Sequence, residues 1–138
     1  MNNKQKILIV DDEFDVAEVL AVLLEDYCDV DICESGEEAL EKILLFSYDA
    51  LITDLEMPDL PGLSLITQVK SLQPHLKLFV STGHTKDHPL VLKAQEVGIS
   101  GIIFKPFTET KELVKILSDE HQQIPLTRLQ LDINPDIS

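Results

Sequence analysis

Three aspartates stand at the ends of short apolar segments, where their carboxylates could do chemistry together. The run at residues 7–10 is followed at once by Asp11 and Asp12, and the run at 50–53 is followed by Asp54. Such runs are typical of buried parallel strands, whose carboxyl ends share one edge of a sheet. Carboxylates that converge there repel one another unless a cation lies among them, and oxygen ligands suit Mg²⁺. We therefore expect a magnesium site at this edge.

Reactive side chains also follow three further strand-like segments. Glu34, Thr82 and Lys105 each come directly after one of them. Taken singly, such residues are explained by turns, local hydrogen bonds or solvation. Taken together at one rim, the set supplies a nucleophile, metal ligands, a hydroxyl donor and a fixed cation. This combination suits phosphoryl transfer.

The residue types assign each side chain a role in that chemistry. Asp54 is the expected nucleophile because it stands alone at the end of a central strand. Asp12 is expected to bind Mg²⁺ directly and Asp11 through water, since magnesium retains several waters. Lys105 is expected to pair with Asp54 in the empty site and with a phosphoryl oxygen in the filled one. Thr82 is expected to donate a hydrogen bond to another phosphoryl oxygen.

The elements that must position these groups alternate between strand-like and helix-like periods. Ser35 and Glu38 have the spacing of a capping box at the start of the second helix, and Gly98 is a suitable stop for the fourth. This alternation predicts an α/β fold, a doubly wound parallel sheet with helices on both faces. The predicted strands lie at residues 7–10, 30–33, 50–53, 78–81 and 101–104.

The composition limits which partners the protein can bind and indicates its cellular compartment. The formal net charge of −14, with Arg128 as the only arginine, argues against binding to nucleic acid or to an anionic membrane. Cys28 and Cys33 share one predicted strand about 16 Å apart, too far to form a disulfide. No signal-like or membrane-spanning run is present in the sequence, so we expect a cytoplasmic protein without membrane partners.

The length of 138 residues fits one domain. We place it at residues 1–120, followed by a tail at 121–138 in which the periodicity fades. A flexible end is the favoured interpretation of the tail. A docking peptide, or the start of a linker to a further domain, is the alternative.

Five segments together resemble the receiver domain of bacterial two-component response regulators, in particular the chemotaxis receiver. The likeness covers about residues 5–119, and the order and spacing of the segments make it specific. The segments are KILIVDDE at 6–13, LITDLEMPDLPG at 51–62, FVSTGH at 79–84, AQEVGISGII at 94–103 and FKPF at 104–107.

The resemblance implies a flavodoxin-like fold with a five-stranded sheet in the order 2-1-3-4-5, the arrangement known for the chemotaxis receiver. It implies that a histidine kinase or a histidine phosphotransfer protein passes a phosphoryl group to Asp54. It also implies a Mg²⁺ site formed by Asp12, Asp54 and the backbone carbonyl of Glu56. The bond between Lys105 and Pro106 would be cis. The domain would be a regulator rather than an enzyme, able to phosphorylate itself from small donors and to lose the phosphate unaided.

The resemblance further implies how the signal leaves the site. Family members move the hydroxyl that Thr82 supplies here while an aromatic ring turns inward, but this chain has Ile102 at the ring position. Glu56 and His84 occupy positions that in the family tune how fast water removes the phosphate. The His84 ring could shield the phosphoryl group or lie in solvent, and on general grounds we expect it to lie in solvent. The partner face would comprise helix 4, strand 5 and helix 5, through which a homodimer could form. Its expected apolar residues are Leu90, Val91, Ile99, Ile102 and Phe107.

The leading hypothesis is a stand-alone phosphoacceptor switch. One rival is a Mg²⁺-dependent phosphatase or phosphotransferase acting on small substrates, which would need a general acid and a substrate pocket. A second rival is an interaction domain without the chemistry, whose signature would be loss of Asp54, Lys105 or one of the paired acids. A third is the receiver of a larger regulator, such as a transcription factor, that continues beyond Ser138.

Overall fold

Strands and helices alternate strictly along residues 4–107 and 109–118, the part of the chain that the structure describes. In this computed structural model the five strands form one parallel sheet in the order β2-β1-β3-β4-β5. This confirms the predicted flavodoxin-like fold class and strand order. The strands are β1 Gln5–Val10, β2 Cys28–Cys33, β3 Ala50–Asp54, β4 Lys77–Thr82 and β5 Gly101–Phe104. The helices are α1 Phe14–Leu24, α2 Gly36–Leu45, α3 Gly62–Leu72, α4 Pro89–Val97 and α5 Thr110–Ser118.

The apolar run in β1 is unbroken because both of its faces are buried. Leu8 and Val10 pack on the side of the sheet that α2, α3 and α4 cover, whereas Ile7 and Ile9 pack on the side of α1 and α5. Successive side chains of a strand point to opposite faces, so each side of the sheet receives alternate residues. All four are at most 1% exposed. A strand of this kind can carry its polar residues only at its ends.

Local signals in the sequence define several helix ends. The hydroxyl of Ser35 accepts a hydrogen bond from the N–H of Glu38 at 3.1 Å, which is the predicted N-terminal cap of α2. The carboxylate of Glu38 accepts from the N–H of Glu34 at 3.2 Å, one residue before the cap. Gly98 ends α4 with φ of 97°, in the left-handed region that favours glycine.

Four of the five strands are longer than their apolar patterns predict: β1 begins at Gln5 and β3 ends at Asp54, and β2 and β4 are extended as well. β2 begins at Cys28 rather than at Val30, because Cys28 pairs with Gln5 at the start of β1. β4 extends to Thr82, which pairs with Phe104 of β5. Backbone pairing with a neighbouring strand, rather than hydrophobicity, sets these ends. Thr82 is therefore the last residue of a strand and not the first residue of a loop.

The strand register brings the carboxyl ends of the central strands to one edge. Val10 of β1 is paired with Thr53 of β3, so Asp11 and Asp54 follow at the same level. Asp54 itself is paired with Ser81 of β4, one residue before Thr82. The side chains that the sequence singled out thus leave the sheet at a common edge, as expected for parallel strands.

Cys28 and Cys33 are both buried and carry free thiols, as predicted. Burial raises the pKa of Cys33 to about 12 and also raises that of Cys28. Across the described ranges, none of the helices combines the length and apolar character needed to span a bilayer. The tail at 121–138 and its docking or linker interpretation lie outside the described residues.

Candidate functional site

Three carboxylates meet at the edge formed by β1 and β3. Asp11, Asp12 and Asp54 each offer one oxygen, and the three oxygens lie within 4.8 Å of one another. Their exposure differs, since Asp11 is 2% exposed whereas Asp12 is exposed to solvent and the Asp54 side chain is 15% exposed. The predicted convergence of the three acids is therefore present in the fold.

Lys105 reaches these acids from the end of β5. Its ammonium nitrogen donates a hydrogen bond to Asp11 Oδ2 at 3.0 Å and lies 3.6 Å from Asp54 Oδ1. The expected ion pair between Lys105 and Asp54 is formed, although the hydrogen bond of the ammonium goes to Asp11. The ion pair with Asp54 is present but longer. The peptide bond from Lys105 to Pro106 is cis, the isomer that the resemblance implied.

Both carboxylate oxygens of Asp11 already have partners. Oδ2 accepts from Lys105, and Oδ1 accepts from the N–H of Glu13 at 3.0 Å. Asp12 lies beside them with its side chain in solvent. This difference favours Asp12 as a direct metal ligand and Asp11 as a ligand that acts through water.

The environment of Asp54 raises the pKa of its carboxyl group from 3.8 to about 6. Desolvation by burial is the largest cause, and the negative charges of Asp11 and Asp12 add to it. The ammonium of Lys105 and the N–H of Glu56, which donates a hydrogen bond to the carboxylate, act in the opposite direction. An ionised Asp54 is thus destabilised by its surroundings until more positive charge arrives.

The loop after β3 is built around a glycine. The N–H of Gly62 donates to the carbonyl oxygen of Leu55 at 2.9 Å, which closes the loop on itself. A Cβ atom at Gly62 would lie 2.7 Å from Leu55 Cα and would clash with the carbonyl oxygen of Asp54. The start of α3 therefore packs directly on the backbone that carries Asp54.

Asp59 anchors the same loop to α2, a role that the sequence analysis missed. Its two carboxylate oxygens accept hydrogen bonds from the N–H groups of Gly36 and Glu37 at 3.3 and 3.1 Å. Desolvation acts to raise the pKa of Asp59, but hydrogen bonds from backbone N–H groups, including these two, outweigh it and lower that pKa. The available signal was an aspartate in a proline-rich loop, which is common without such a partner.

Thr82 is 1% exposed, and its hydroxyl oxygen accepts a hydrogen bond from the N–H of His84 at 3.0 Å. Ile102 is half-buried and packs against the core on the side of α2, α3 and α4.

Glu34 is exposed at the end of β2 and does not belong to the carboxylate cluster. The edge strand β2 places it one strand beyond β1 and away from the central pair.

His84 does not extend into solvent, contrary to the expectation from sequence. Its ring is stacked on that of His88, with the ring centroids 3.7 Å apart and an interplanar angle of 15°. Its Nε2 atom lies 3.2 Å from Glu56 Oε1, although the pair lacks hydrogen-bond geometry. The imidazole Nδ1 of His88 accepts from the N–H of Leu90 at 3.1 Å and caps α4. A histidine before a proline carries no specific sequence signal from which this cap could be predicted.

The donor set and the charge balance fit a Mg²⁺ ion. Three carboxylates provide the hard oxygen ligands that this ion prefers, and the pKa of one of them is raised by burial and further by its acidic neighbours. Asp11, Asp12 and Asp54 would hold the ion. Bound there, it would neutralise the acids and the negative charge of an incoming phosphoryl group.

A family model described as "Response regulator receiver domain" matches residues 7–118. The chain belongs to this family. Receiver domains of response regulators are signalling domains rather than classical enzymes, and they interact with histidine kinases or phosphotransfer proteins. The acidic cluster fits the receiver-domain Mg²⁺ site.

Two relatives and one solved structure illustrate the similarity of this receiver domain to known proteins. A response regulator receiver protein of Anaeromyxobacter sp. (strain Fw109-5) is 38% identical over 103 residues, which are 74% of this chain and 43% of that protein. Chemotaxis protein CheY-3 of Vibrio cholerae serotype O1 is 30% identical over 112 residues, covering 78% of this chain and 85% of CheY-3. A receiver domain protein of Clostridium thermocellum has 29% identity and a TM-score of 0.75, over 89% of this chain and 98% of that one.

The receiver domain accounts for different shares of these relatives. It spans less than half of the Anaeromyxobacter protein but most of CheY-3. Over residues 7–118 the family membership rests on the sequence match, and the solved structure shows the same fold.

Proposed function

We propose that the protein is a phosphorylation-dependent signalling switch in which Asp54 accepts a phosphoryl group from a phosphohistidine. The donor would be a sensor kinase or a histidine phosphotransfer protein. The observation that carries this proposal is the environment of the Asp54 carboxylate, which lies near the Lys105 ammonium and two other acids and has its pKa raised to about 6. Such a carboxylate gains stability when its charge is shared with a phosphoryl group and a cation.

In the transfer step a carboxylate oxygen of Asp54 attacks phosphorus, and the bond between phosphorus and the donor imidazole nitrogen breaks. The electron pair of that bond returns to the imidazole, and Asp54 carries an acyl phosphate. Positioning and charge neutralisation supply most of the catalysis in such reactions. Lys105, already 3.6 Å from Asp54, is close enough to move to a phosphoryl oxygen. To do so its ammonium must give up the hydrogen bond to Asp11.

The remaining roles follow from exposure and hydrogen bonding. Asp12 and Asp54 would bind Mg²⁺ directly, with the carbonyl of Glu56 as a third protein ligand and Asp11 acting through water. The hydroxyl of Thr82 is buried at the same edge, and its oxygen already accepts from His84. Its own proton is available for a phosphoryl oxygen. The same set of groups would support phosphorylation by a small donor such as acetyl phosphate, and later hydrolysis.

An apolar concavity beside Lys105 is a suitable place for the donor protein to dock. It is lined by Val16 and Val19 of α1 and by Pro106 and Phe107 after β5. Val19 is 51% exposed, and the concavity opens next to the carboxylate cluster that Lys105 contacts. A helix of a kinase or phosphotransfer protein that rests here would place its histidine within reach of Asp54.

The face formed by α4, β5 and α5 is proposed to bind the downstream partner, either another protein or a second copy of the chain. Leu92 is 47% exposed and Phe104 is 43% exposed on this face. Val91, expected among its apolar residues, is fully buried and belongs to the core instead. Ile102 cannot supply an aromatic switch, so the change in this face would depend on the loop between β4 and α4.

The proposed compartment is the cytoplasm, where donor kinases act and where the free thiols of Cys28 and Cys33 stay reduced. The nominal net charge of −14 leaves nucleic acid and anionic membranes as poor direct partners.

Incubation with acetyl phosphate and Mg²⁺ tests the proposed function. We expect intact-mass spectrometry to detect one added phosphate, lost when Mg²⁺ is chelated and absent from Asp54→Asn. Asp59→Asn is a matched control, because Asp59 anchors the neighbouring loop without contributing to the carboxylate cluster. Equal labelling of wild type and Asp54→Asn would contradict the proposal.

A further inference from the structure

Three contacts connect the candidate phosphorylation site to the start of α4. The N–H of His84 donates to the Thr82 hydroxyl, the rings of His84 and His88 are stacked, and His88 caps the helix through Leu90. Each contact involves residues on the loop after β4 or at its ends. Hydrogen bonds therefore fix both ends of the loop between β4 and α4, and the stacked rings of His84 and His88 connect its two ends.

The imidazole of His84 is stacked on the ring of His88 and lies beside the Glu56 carboxylate. Its Nε2 atom is withdrawn from solvent and makes no hydrogen bond to any residue in the described ranges. Withdrawing a polar atom from water without a hydrogen bond is unfavourable, so a further contact is needed to keep the ring there. The ring of His88, 3.7 Å away and nearly parallel, is that contact.

The position of the His84 ring matters because it bridges two loops beside Asp54. Glu56 lies two residues after Asp54, and its Oε1 atom is 3.2 Å from His84 Nε2. The side chains that meet here come from the ends of β3 and β4, which are neighbours in the sheet. Both side chains therefore lie at the same edge of the sheet as the Asp54 carboxylate.

We propose that His88 is a positioning residue that lengthens the life of the phosphorylated state by holding His84 against Glu56. This inference rests on the proposed function of Asp54. The ring of His88 prevents the His84 side chain from turning into solvent, and its Nδ1 atom fixes the first turn of α4 at the same time. Replacing the ring opens the approach to Asp54, and hydrolysis of the acyl phosphate becomes faster.

Two substitutions separate the stacking ring from the helix cap. His88→Asn keeps a side-chain acceptor at the cap position but removes the ring. His88→Phe keeps a ring that can stack but removes the acceptor. We expect His88→Asn to raise the first-order rate of phosphate loss about three- to tenfold. We expect His88→Phe to keep the rate near that of the wild type while lowering the melting temperature.

The experiment labels each full-length variant with acetyl phosphate and Mg²⁺, removes the donor, and follows the phosphate by intact-mass spectrometry. His75→Asn is the matched control, because His75 is exposed in the loop before β4, away from the site. His84→Ala should accelerate phosphate loss as His88→Asn does, and the double variant should be no faster than His84→Ala alone. Such non-additivity is the signature of residues that act through one contact.

A second measurement does not depend on phosphorylation. Stacking shifts the ring protons of His84 in the NMR spectrum, and this shift should disappear in His88→Asn but persist in His88→Phe. Failure of the wild type to take up phosphate would overturn the proposed function and the inference with it. Normal labelling with equal lifetimes in the wild type and His88→Asn would overturn the inference alone, as would multiplying effects in the double variant.

Discussion

Lys105 makes its hydrogen bond to Asp11, at 3.0 Å, and not to the carboxylate of the proposed phosphoacceptor. Asp54 lies 0.6 Å farther from the same ammonium, at 3.6 Å against 3.0 Å. The ammonium therefore neutralises the buried Asp11 more than it neutralises Asp54. Burial keeps the pKa of Asp54 raised in spite of the ammonium, which remains as a cation beside it.

Removal of the ammonium should raise the pKa of Asp54 further. In Lys105→Ala we expect this pKa to exceed the value of about 6 in the wild type, because the ammonium lowers it. A ¹³C NMR titration of the aspartate carboxyl groups measures the change. Mg²⁺ binding should be largely retained in Lys105→Ala. The control is Lys93→Ala, on the exposed side of α4, which should change neither the pKa of Asp54 nor Mg²⁺ binding. A lower Asp54 pKa in Lys105→Ala would contradict the charge assignment.

The raised pKa of Asp54 predicts a pH-dependent cost to stability. The folded-state value of about 6 exceeds the ordinary value of 3.8, so the folded protein binds this proton more tightly than the unfolded chain does. The contribution of Asp54 to the free energy of unfolding therefore falls as the pH rises from about 4 to about 6. In the absence of Mg²⁺, Asp54→Asn should be more stable than the wild type at pH 7.5 by about 1–3 kcal/mol.

Urea denaturation at several pH values measures that difference. It should shrink toward zero near pH 4, where folded Asp54 is protonated in the wild type. Addition of Mg²⁺ should also narrow it, because the ion stabilises the ionised carboxylate. If the difference in stability between Asp54→Asn and the wild type does not vary with pH, it arises from packing rather than from charge.

The two neighbouring acids should contribute unequally to metal binding. Both oxygens of Asp11 are engaged by Lys105 and Glu13, whereas Asp12 is exposed. We expect Asp12→Ala to lower Mg²⁺ affinity about tenfold more than Asp11→Ala does. Isothermal titration calorimetry measures both constants. Equal affinities in the two variants would refute the assignment of direct and water-mediated ligands.

The close contact of Gly62 with the backbone of Asp54 predicts a strong effect of a single methyl group. Gly62→Ala would place its Cβ against Leu55 and Asp54, so we expect a loss of about 1–3 kcal/mol in the free energy of unfolding. Phosphorylation should be slower as well, because the carboxylate shifts with its backbone. Gly83→Ala is the control, since a Cβ there meets no atom within 4 Å. Thermal unfolding of the two variants distinguishes a specific clash from a general intolerance of loop substitutions.

Much of this architecture could be predicted because the relevant signals are local. The apolar runs before Asp11 and Asp54 are continuous since β1 and β3 are buried on both faces. Ser35 and Gly98 act within their own turns, at the cap of α2 and at the end of α4. Parallel pairing then places both acids at one edge.

The details that the sequence could not supply depend on contacts between distant segments. Lys105 and Asp11 are 94 positions apart, and nothing local favours Asp11 over Asp54 as the acceptor. The stack between His84 and His88 depends on the path of the loop after β4. The sequence contains no pattern that distinguishes a stacked His84 ring from a solvated one, so this contact could not be predicted.

Identification of the phosphorylated residue tests the central claim most directly. Wild-type protein is incubated with acetyl phosphate and Mg²⁺ and treated with sodium borohydride, which reduces an acyl phosphate of aspartate to homoserine. Tandem mass spectrometry of the peptides then locates the modified residue. The account predicts homoserine at position 54 and at no other aspartate. Homoserine at position 11, 12 or 59, or none at all, would contradict it.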